Sequence, residues 1–173
     1  MLISIGGLSG SGKTTLAAAI TVQLPNAVHF DSDRTRKEIF GVAETARLPP
    51  EAYSEAATQR LIDEMSRRVS ACLAAGKTAV VSATFSLPAT RTHQENLAQQ
   101  SGVPFIGLWL QAGLSVLQER VTRRINSVSD AGVDVLLAQH ASLSTPENWA
   151  ILDAEKPAHE ILAAALKAIN PAV

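Results

Sequence analysis

The stretch from Gly6 to Thr15, GGLSGSGKTT, constrains this 173-residue chain more than any other. Gly7-Leu8-Ser9-Gly10-Ser11-Gly12-Lys13-Thr14 fits G-x-x-x-x-G-K-[ST] without a gap. An apolar run, Leu2-Ile3-Ser4-Ile5, precedes it, and a helix-like run, Leu16-Ala17-Ala18-Ala19-Ile20, follows. Glycines let such a loop take positive φ and bring backbone close to a ligand. Consecutive N–H groups then form an anion nest, and the helix behind adds its positive end. Lys13 carries a full charge to β- and γ-phosphates, Thr14 offers a hydroxyl to Mg²⁺, and Thr15 continues the cradle. The expected ligand is the phosphate tail of a nucleoside triphosphate with Mg²⁺. A glycine-rich turn without a ligand is the plainer alternative.

Short apolar runs alternate with helical patterns along the rest of the chain. Strands are expected at 2–5, 27–30, 78–81, 104–110 and 149–152. Helices are expected at 13–24, 34–40, 88–100, 114–124, 130–143 and 157–169. A long helix follows Pro49-Pro50, with Tyr53, Ala57, Leu61, Met65, Val69 and Leu73 recurring every four residues up to a Gly76 cap. Strands separated by helices imply an α/β domain with a parallel sheet. Residues 1–173 read as one domain, with apolar residues at 46% to fill a core.

Bulk properties exclude some functions. A formal net charge of −1 lacks the electrostatic footprint of a nucleic-acid binder, so nucleic acid is not the expected partner. One cysteine, Cys72, allows no disulfide within the chain. No apolar stretch approaches the roughly 18 residues that span a bilayer, and the first residues lack a signal-peptide pattern. The expectation is a cytoplasmic protein with no membrane partner.

Two carboxylates follow the second strand in Phe30-Asp31-Ser32-Asp33-Arg34-Thr35-Arg36. Ligands of open α/β sheets lie beyond the C-terminal strand ends, which puts Asp31 and Asp33 near the loop. Asp33 and Arg36 share a face if a helix starts at Asp33. Asp33 then orients or deprotonates an acceptor hydroxyl and Arg36 holds a polar part of the acceptor; alternatively, Asp33 only caps the helix. Asp31 is either a ligand of Mg²⁺ through water or a solvated turn residue. The third strand ends at Ser82 and Thr84, which serve the site or simply end the strand. Arg120, Arg123 and Arg124 lie before a polar break, the layout of a lid over about 120–131. Phosphoryl transfer needs positive charge on the migrating group and exclusion of water. The same arginines also suit a solvated helix end. Tyr53 lines an acceptor pocket or belongs to the apolar stripe, and Arg91 is a weaker acceptor candidate. Four histidines show no metal-ligand spacing, and Trp109, Trp149 and Cys72 read as core.

The ordered set Gly-x-Ser-Gly-Ser-Gly-Lys-Thr, Ser-Asp-x-x-Arg-Lys, Tyr-Ser, Val-Val-x-Ala-Thr-Phe, Gly-x-Trp-Leu, Arg-x-x-Arg-Arg and Ser-Asp-Ala resembles predicted bacterial P-loop kinases. These also occur fused behind aminoglycoside-phosphotransferase-like domains. They are similar to a clan containing gluconate kinase, chloramphenicol phosphotransferase, zeta toxins and the phage polynucleotide 5′-kinase. The resemblance implies an adenylate-kinase-like five-stranded sheet in order 2-3-1-4-5 with helices on both faces and a short lid. It implies ATP as the nucleotide, Asp33 and Arg36 as the base and acceptor contact, and lid arginines at Arg120 to Arg124. Ser82 departs from the aspartate usual before Ala-Thr-Phe in these kinases.

The expected function is therefore ATP- and Mg²⁺-dependent phosphotransfer to a small-molecule hydroxyl. Lys13, Asp33, Arg120 and Arg124 are its catalytic candidates. Gly7 to Thr15, Arg120 and Arg123 would hold the nucleotide. Asp33, Arg36, Tyr53 and Thr84 would meet the acceptor, and Thr14 and Asp31 the metal. The alternatives are an ATP-hydrolysing regulatory switch and a kinase of nucleic-acid 5′-hydroxyls.

Overall fold

The computed structural model describes residues 1–124 and 128–170. Five strands, β1 (Leu2–Gly6), β2 (Ala27–Asp31), β3 (Thr78–Ser82), β4 (Phe105–Gln111) and β5 (Ala150–Asp153), form one sheet in order β2-β3-β1-β4-β5. Every pairing is parallel; Ile3 lies beside Val80 on one side and Ile106 on the other. Among the described residues, seven α-helices connect and cover the strands: α1 (Lys13–Gln23), α2 (Ser32–Ile39), α3 (Glu55–Ala74), α4 (Pro88–Gln100), α5 (Leu114–Thr122), α6 (Val133–Ala141) and α7 (Ala158–Ile169). This is the order that the resemblance implies.

Strand residues alternate between two cores, as a period of two requires. Leu2, Val81 and Trp109 pack with Leu61, Met65 and Val69 of α3 and Leu97 of α4. Ile3, Ile5, Val80 and Leu108 pack on the other face with Leu16 and Ile20 of α1 and Ala165 and Ile169 of α7. With both faces covered, the central strands are continuous apolar runs. Trp109, Trp149 and Cys72 are buried, as the sequence suggests.

A third cluster matters more for function. Leu8 of the glycine-rich loop packs with Leu117 and Val121 of α5 and Leu136 of α6. The loop's only apolar side chain thus anchors the two helices that flank the expected lid. Among the described residues, no helix is long and apolar enough to cross a membrane.

Three local expectations change. Tyr53 does not continue the α3 stripe: it ends a 3₁₀ turn, Pro50–Tyr53, and Ser54 then caps α3 through the Ala57 amide at 3.3 Å. A helix restarted by a cap loses the register of the residue before it. The helix after β2 starts two residues early, at Ser32, because Asp31 caps it. The helix expected from Asp130 begins at Val133, because Asp130 is engaged elsewhere. The centre of the expected lid, residues 125–127, lies outside the described residues.

Candidate active site

The loop after β1 has the conformation its glycines require. Gly12 sits at φ 94° as it enters α1, in open space, and Gly10 sits at φ 90°. A Cβ on Gly10 would lie 2.9 Å from the Leu117 carbonyl, so the close approach of α5 also excludes a side chain there. Ser9, Gly12, Lys13, Thr14 and Thr15 line a cavity of about 1250 Å³, while Gly7, Leu8, Gly10 and Ser11 form the buried underside of the loop. Lys13 Nζ donates to the Leu8 carbonyl at 3.0 Å. Burial pulls its pKa down to about 8, helped by Arg124 and opposed by Asp33 and Asp31.

β2 and β3 end side by side, with Asp31 in register with Ser82. That register builds a chain of hydrogen bonds across the strand ends. Asp31 Oδ2 accepts from Thr14 Oγ1 at 2.8 Å and from Ser82 Oγ at 2.9 Å. Its Oδ1 accepts the Asp33 and Arg34 amides, both at 3.0 Å, which is the α2 cap. Since the Ser82 proton points to Asp31, the Ser82 oxygen is left to accept from His29 Nε2 at 2.8 Å. Burial raises the Asp31 pKa, but the Arg34 amide and the Thr14 and Ser82 hydroxyls outweigh it and hold the carboxyl below its ordinary value. Burial lowers the His29 pKa, keeping the ring neutral.

Capping therefore belongs to Asp31, and Asp33 faces the cavity on the first turn of α2. Burial pushes the Asp33 carboxyl above the ordinary carboxylate range, with Asp31 adding to the shift. A hydrogen bond with Ser129 and the charges of Lys13 and Arg36 oppose it. Arg124 also lines the cavity, and its buried Nη1 has no hydrogen-bond partner among the described residues. Arg120 and Arg123 do not line the cavity; Arg123 pairs with Glu119 at 2.7 Å on the exposed side of α5. The helix end explains the split: α5 stops at Thr122, so Arg124 lies beyond it and leaves the face that i, i+4 spacing would otherwise give it with Arg120.

Arg36 lines the cavity but is heavily engaged. It donates to the Ala52 carbonyl and to Thr58 Oγ1, and its guanidinium lies 5.1 Å from the Tyr53 ring centroid. Tyr53 is 49% exposed, and Thr84 lines the same cavity. Arg91 instead is buried, donating to the Phe85 carbonyl at 2.8 Å. Phe85 holds φ 49°, a strained value for a large side chain, in the turn between β3 and α4. Arg91 and the edge-on contact with Trp149 at 5.5 Å hold it there.

Sequence reasoning missed a second network. Lys37 is fully buried and donates to Asp130 Oδ1 at 3.0 Å and to the Glu44 carbonyl at 2.7 Å. Asp130 Oδ2 also accepts the Leu48 amide at 2.9 Å and the Tyr53 hydroxyl at 3.1 Å. Asp33 and Lys37 are four apart on α2, and they meet the consecutive residues Ser129 and Asp130. The segment returning from the lid is thus docked along one face of α2. Gln139 of α6 accepts the Ser9 amide at 3.0 Å, a tie between α6 and the loop. The available signal was the i, i+4 spacing of Asp33 and Lys37; nothing local pointed to Gln139.

The residues suit a nucleotide and Mg²⁺. Ser11 Oγ is buried with no partner among the described residues, beneath a loop whose lining and Lys13 favour an anion. No group of three or more metal-ligating side chains occurs among the described residues. Thr14 beside a single carboxylate, Asp31, instead matches the Mg²⁺ habit of binding through phosphates, water and few protein oxygens.

The sheet order, the loop and its cavity define the P-loop NTPase fold. Residues 2–146 match AAA_33, an AAA domain family, and the chain belongs to that family. Over 141 residues it is 26% identical to the uncharacterized protein Rv2004c of Mycobacterium tuberculosis (strain ATCC 25618 / H37Rv). It matches the uncharacterized protein Mb2027c of Mycobacterium bovis (strain ATCC BAA-935 / AF2122/97) at the same 26% identity. Each match covers 79% of this chain and 28% of the relative, so the chain spans little more than a quarter of their length. These matches do not show the aminoglycoside-phosphotransferase-like neighbour that the resemblance implies.

Solved structures share the whole fold. A gluconokinase from Sinorhizobium meliloti 1021 has 20% identity and a TM-score of 0.70, over 98% of this chain and 91% of its own. An unliganded sugar kinase from Janibacter sp. HTCC2649 has 20% identity and a TM-score of 0.69, over 99% and 95%. The Mycobacterium tuberculosis APS kinase CysC in complex with AMPPNP and APS has 19% identity and a TM-score of 0.70, over 97% and 96%. At these identities the likeness shows the fold, which is that of P-loop kinases.

Proposed function

We propose that this chain is an ATP- and Mg²⁺-dependent phosphotransferase that moves the γ-phosphoryl group to a hydroxyl of a small-molecule acceptor in the cytoplasm. The observation that carries the reading is the division of labour between two aspartates. Asp31 caps α2 and holds Thr14, which leaves Asp33 facing the cavity with Lys13 and Arg124. A nucleotide-binding module needs the first carboxylate; a carboxylate with no capping duty beside an acceptor-sized space serves a hydroxyl.

In this reading Gly7 to Thr15 hold the phosphates by backbone amides, and Thr14 with Asp31 holds Mg²⁺. When bound, the metal neutralises charge on the β- and γ-phosphates. Asp33 orients the acceptor hydroxyl and takes its proton, which requires the ionised form. Lys13 and Arg124 meet charge on the migrating phosphoryl group. Arg120 and Arg123 are left out of the site, and Arg36, Tyr53 and Thr84 form the acceptor wall. This catalysis works through positioning and electrostatics.

The test is label transfer from γ-labelled ATP with Mg²⁺ to a panel of hydroxyl compounds. Asp33→Ala should abolish transfer to the acceptor and leave ATP affinity within about twofold. Phosphate release unchanged by Asp33→Ala, with no labelled acceptor, would turn the reading towards an ATP-hydrolysing switch.

A further inference from the structure

We infer that the acceptor is an amphipathic alcohol, a hydroxyl on an aromatic or alkyl body, rather than a polyol or sugar acid. For its reaction this rests on the phosphotransferase reading; for binding it rests on the cavity alone. The cavity, about 1250 Å³, exceeds the roughly 300–1,000 Å³ of a pocket for one ligand and so has room for a second substrate beside a nucleotide. Beyond the phosphate loop its walls are α3 and the turn between β3 and α4. There Leu61, Ile62, Met65, Phe85 and Leu87 face the space.

Exposure points the same way. Six large hydrophobic side chains stand exposed among the described residues, and three of them, Tyr53, Leu87 and Val135, line this one cavity. Leu87, in the β3–α4 turn, is 49% exposed and Val135, on α6, is 45% exposed. Apolar surface gathered inside a concave site marks what the site is shaped to cover.

Several polar groups of the same wall already have partners. Arg36 is engaged by Ala52, Thr58 and the Tyr53 ring, and the Tyr53 hydroxyl by Asp130. Ser66 Oγ and His93 Nε2 lie 2.8 Å apart, and Thr90 Oγ1 donates to the Leu87 carbonyl at 2.8 Å. Gln94 Oε1 accepts from Ser4. Each hydroxyl of a polyol needs a partner once it leaves water, and unpaired burial is costly. An alkyl or aromatic body makes no such demand and gains by covering the apolar wall.

The step itself is balanced. The acceptor oxygen forms a bond to the γ-phosphorus of the nucleoside triphosphate as the bond from that phosphorus to the β,γ-bridging oxygen breaks. The hydroxyl proton passes to the Asp33 carboxylate, and the products are a phosphate monoester and a nucleoside diphosphate.

The experiment compares 2-phenylethanol and 1-hexanol with gluconate and glucose, each with the intact protein, Mg²⁺ and nucleotide. One arm follows label transfer from γ-labelled ATP, and the other follows thermal stabilisation with ADP present. Leu87→Ser and Val135→Ser test the wall; both side chains are half-exposed, and the Tm of each unliganded variant checks folding. The expected result is transfer to, and a Tm rise with, the apolar alcohols alone. Each variant should raise KM for them at least fivefold with kcat little changed. Transfer to gluconate or glucose in preference to the apolar alcohols overturns this inference and leaves the phosphotransferase reading standing. Stabilisation by the apolar alcohols with no labelled acceptor supports the inference and overturns that reading. Absence of both binding and transfer with the apolar alcohols overturns the inference, as does an unchanged KM in well-folded variants.

Discussion

Lys37→Met tests the network that docks the lid segment on α2. The substitution keeps length and volume and removes the ammonium. Lys37 is 1% exposed, and its partner Asp130 is 12% exposed at the side chain. Removing one partner of a buried pair costs about 3–5 kcal/mol, because the other charge stays buried. Asp130 keeps the Leu48 amide and the Tyr53 hydroxyl, so the lower end, about 3 kcal/mol, is expected. At roughly 2–4 °C per kcal/mol for a chain of this size, Tm should fall by about 6–12 °C at pH 7. The double variant Lys37→Met with Asp130→Asn leaves no unpaired charge and should recover part of that loss. The effect also has a pH sign. Burial raises the Asp130 pKa, but the Leu48 amide, Lys37 and Tyr53 outweigh it and hold the carboxyl below its ordinary value. A depressed carboxylate contributes stability above its unfolded pKa of about 4 and loses it as pH falls through the folded value. The gap between wild type and Lys37→Met should therefore shrink on acidification below about pH 4. Thermal unfolding at pH 7 and pH 3.5 measures both. A loss under about 1 kcal/mol, or a double variant as unstable as the two single losses summed, would refute the coupling argument.

Three further outcomes follow from the site. Lys13, with its pKa drawn down to about 8 by burial, is charged below that pH and neutral above it. ADP affinity measured by titration calorimetry should weaken between pH 7 and 9, and a flat profile would contradict the assigned role. Asp31→Asn keeps an oxygen to cap α2 but removes the charge beside Thr14. Stability should fall by about 1–3 kcal/mol, because the Thr14 and Ser82 hydroxyls lose their charged acceptor, while the Mg²⁺ concentration needed for tight nucleotide binding rises several-fold; an unchanged Mg²⁺ dependence would count against Asp31 as the metal-side carboxylate. Gln139→Ala removes the acceptor of the Ser9 amide, so hydrogen exchange at Ser9 should speed up, and unaltered protection would show that α6 does not hold the loop.

Much of the architecture was legible because it is written locally. β1, the glycine-rich loop and α1 follow from adjacent residues, and the α3 stripe from Ala57 to Leu73 lies buried as its spacing predicts. The open choices fall where one residue could take two states. Tyr53 keeps the stripe's spacing, but Pro49 and Pro50 and the Ser54 cap place it in a 3₁₀ turn. Asp31 and Asp33 are both good caps, and the choice is set by where β2 ends. Arg120, Arg123 and Arg124 are alike in sequence, and the end of α5 at Thr122 frees Arg124 from the face it would share with Arg120.

The sequence by itself determined an anion-binding loop between a strand and a helix, and the elements of a parallel sheet, because backbone freedom, apolar period and caps act over a few residues. The tertiary structure decided the partnerships. Register between β2 and β3 put Ser82 against Asp31, so one carboxylate at the end of β2 holds both Thr14 and Ser82. Lys37 found Asp130 across 93 positions, and Ser9 found Gln139 across 130. Such contacts depend on strand register, helix phase and the packing of Leu8 under α5 and α6, none of which a short window of sequence contains.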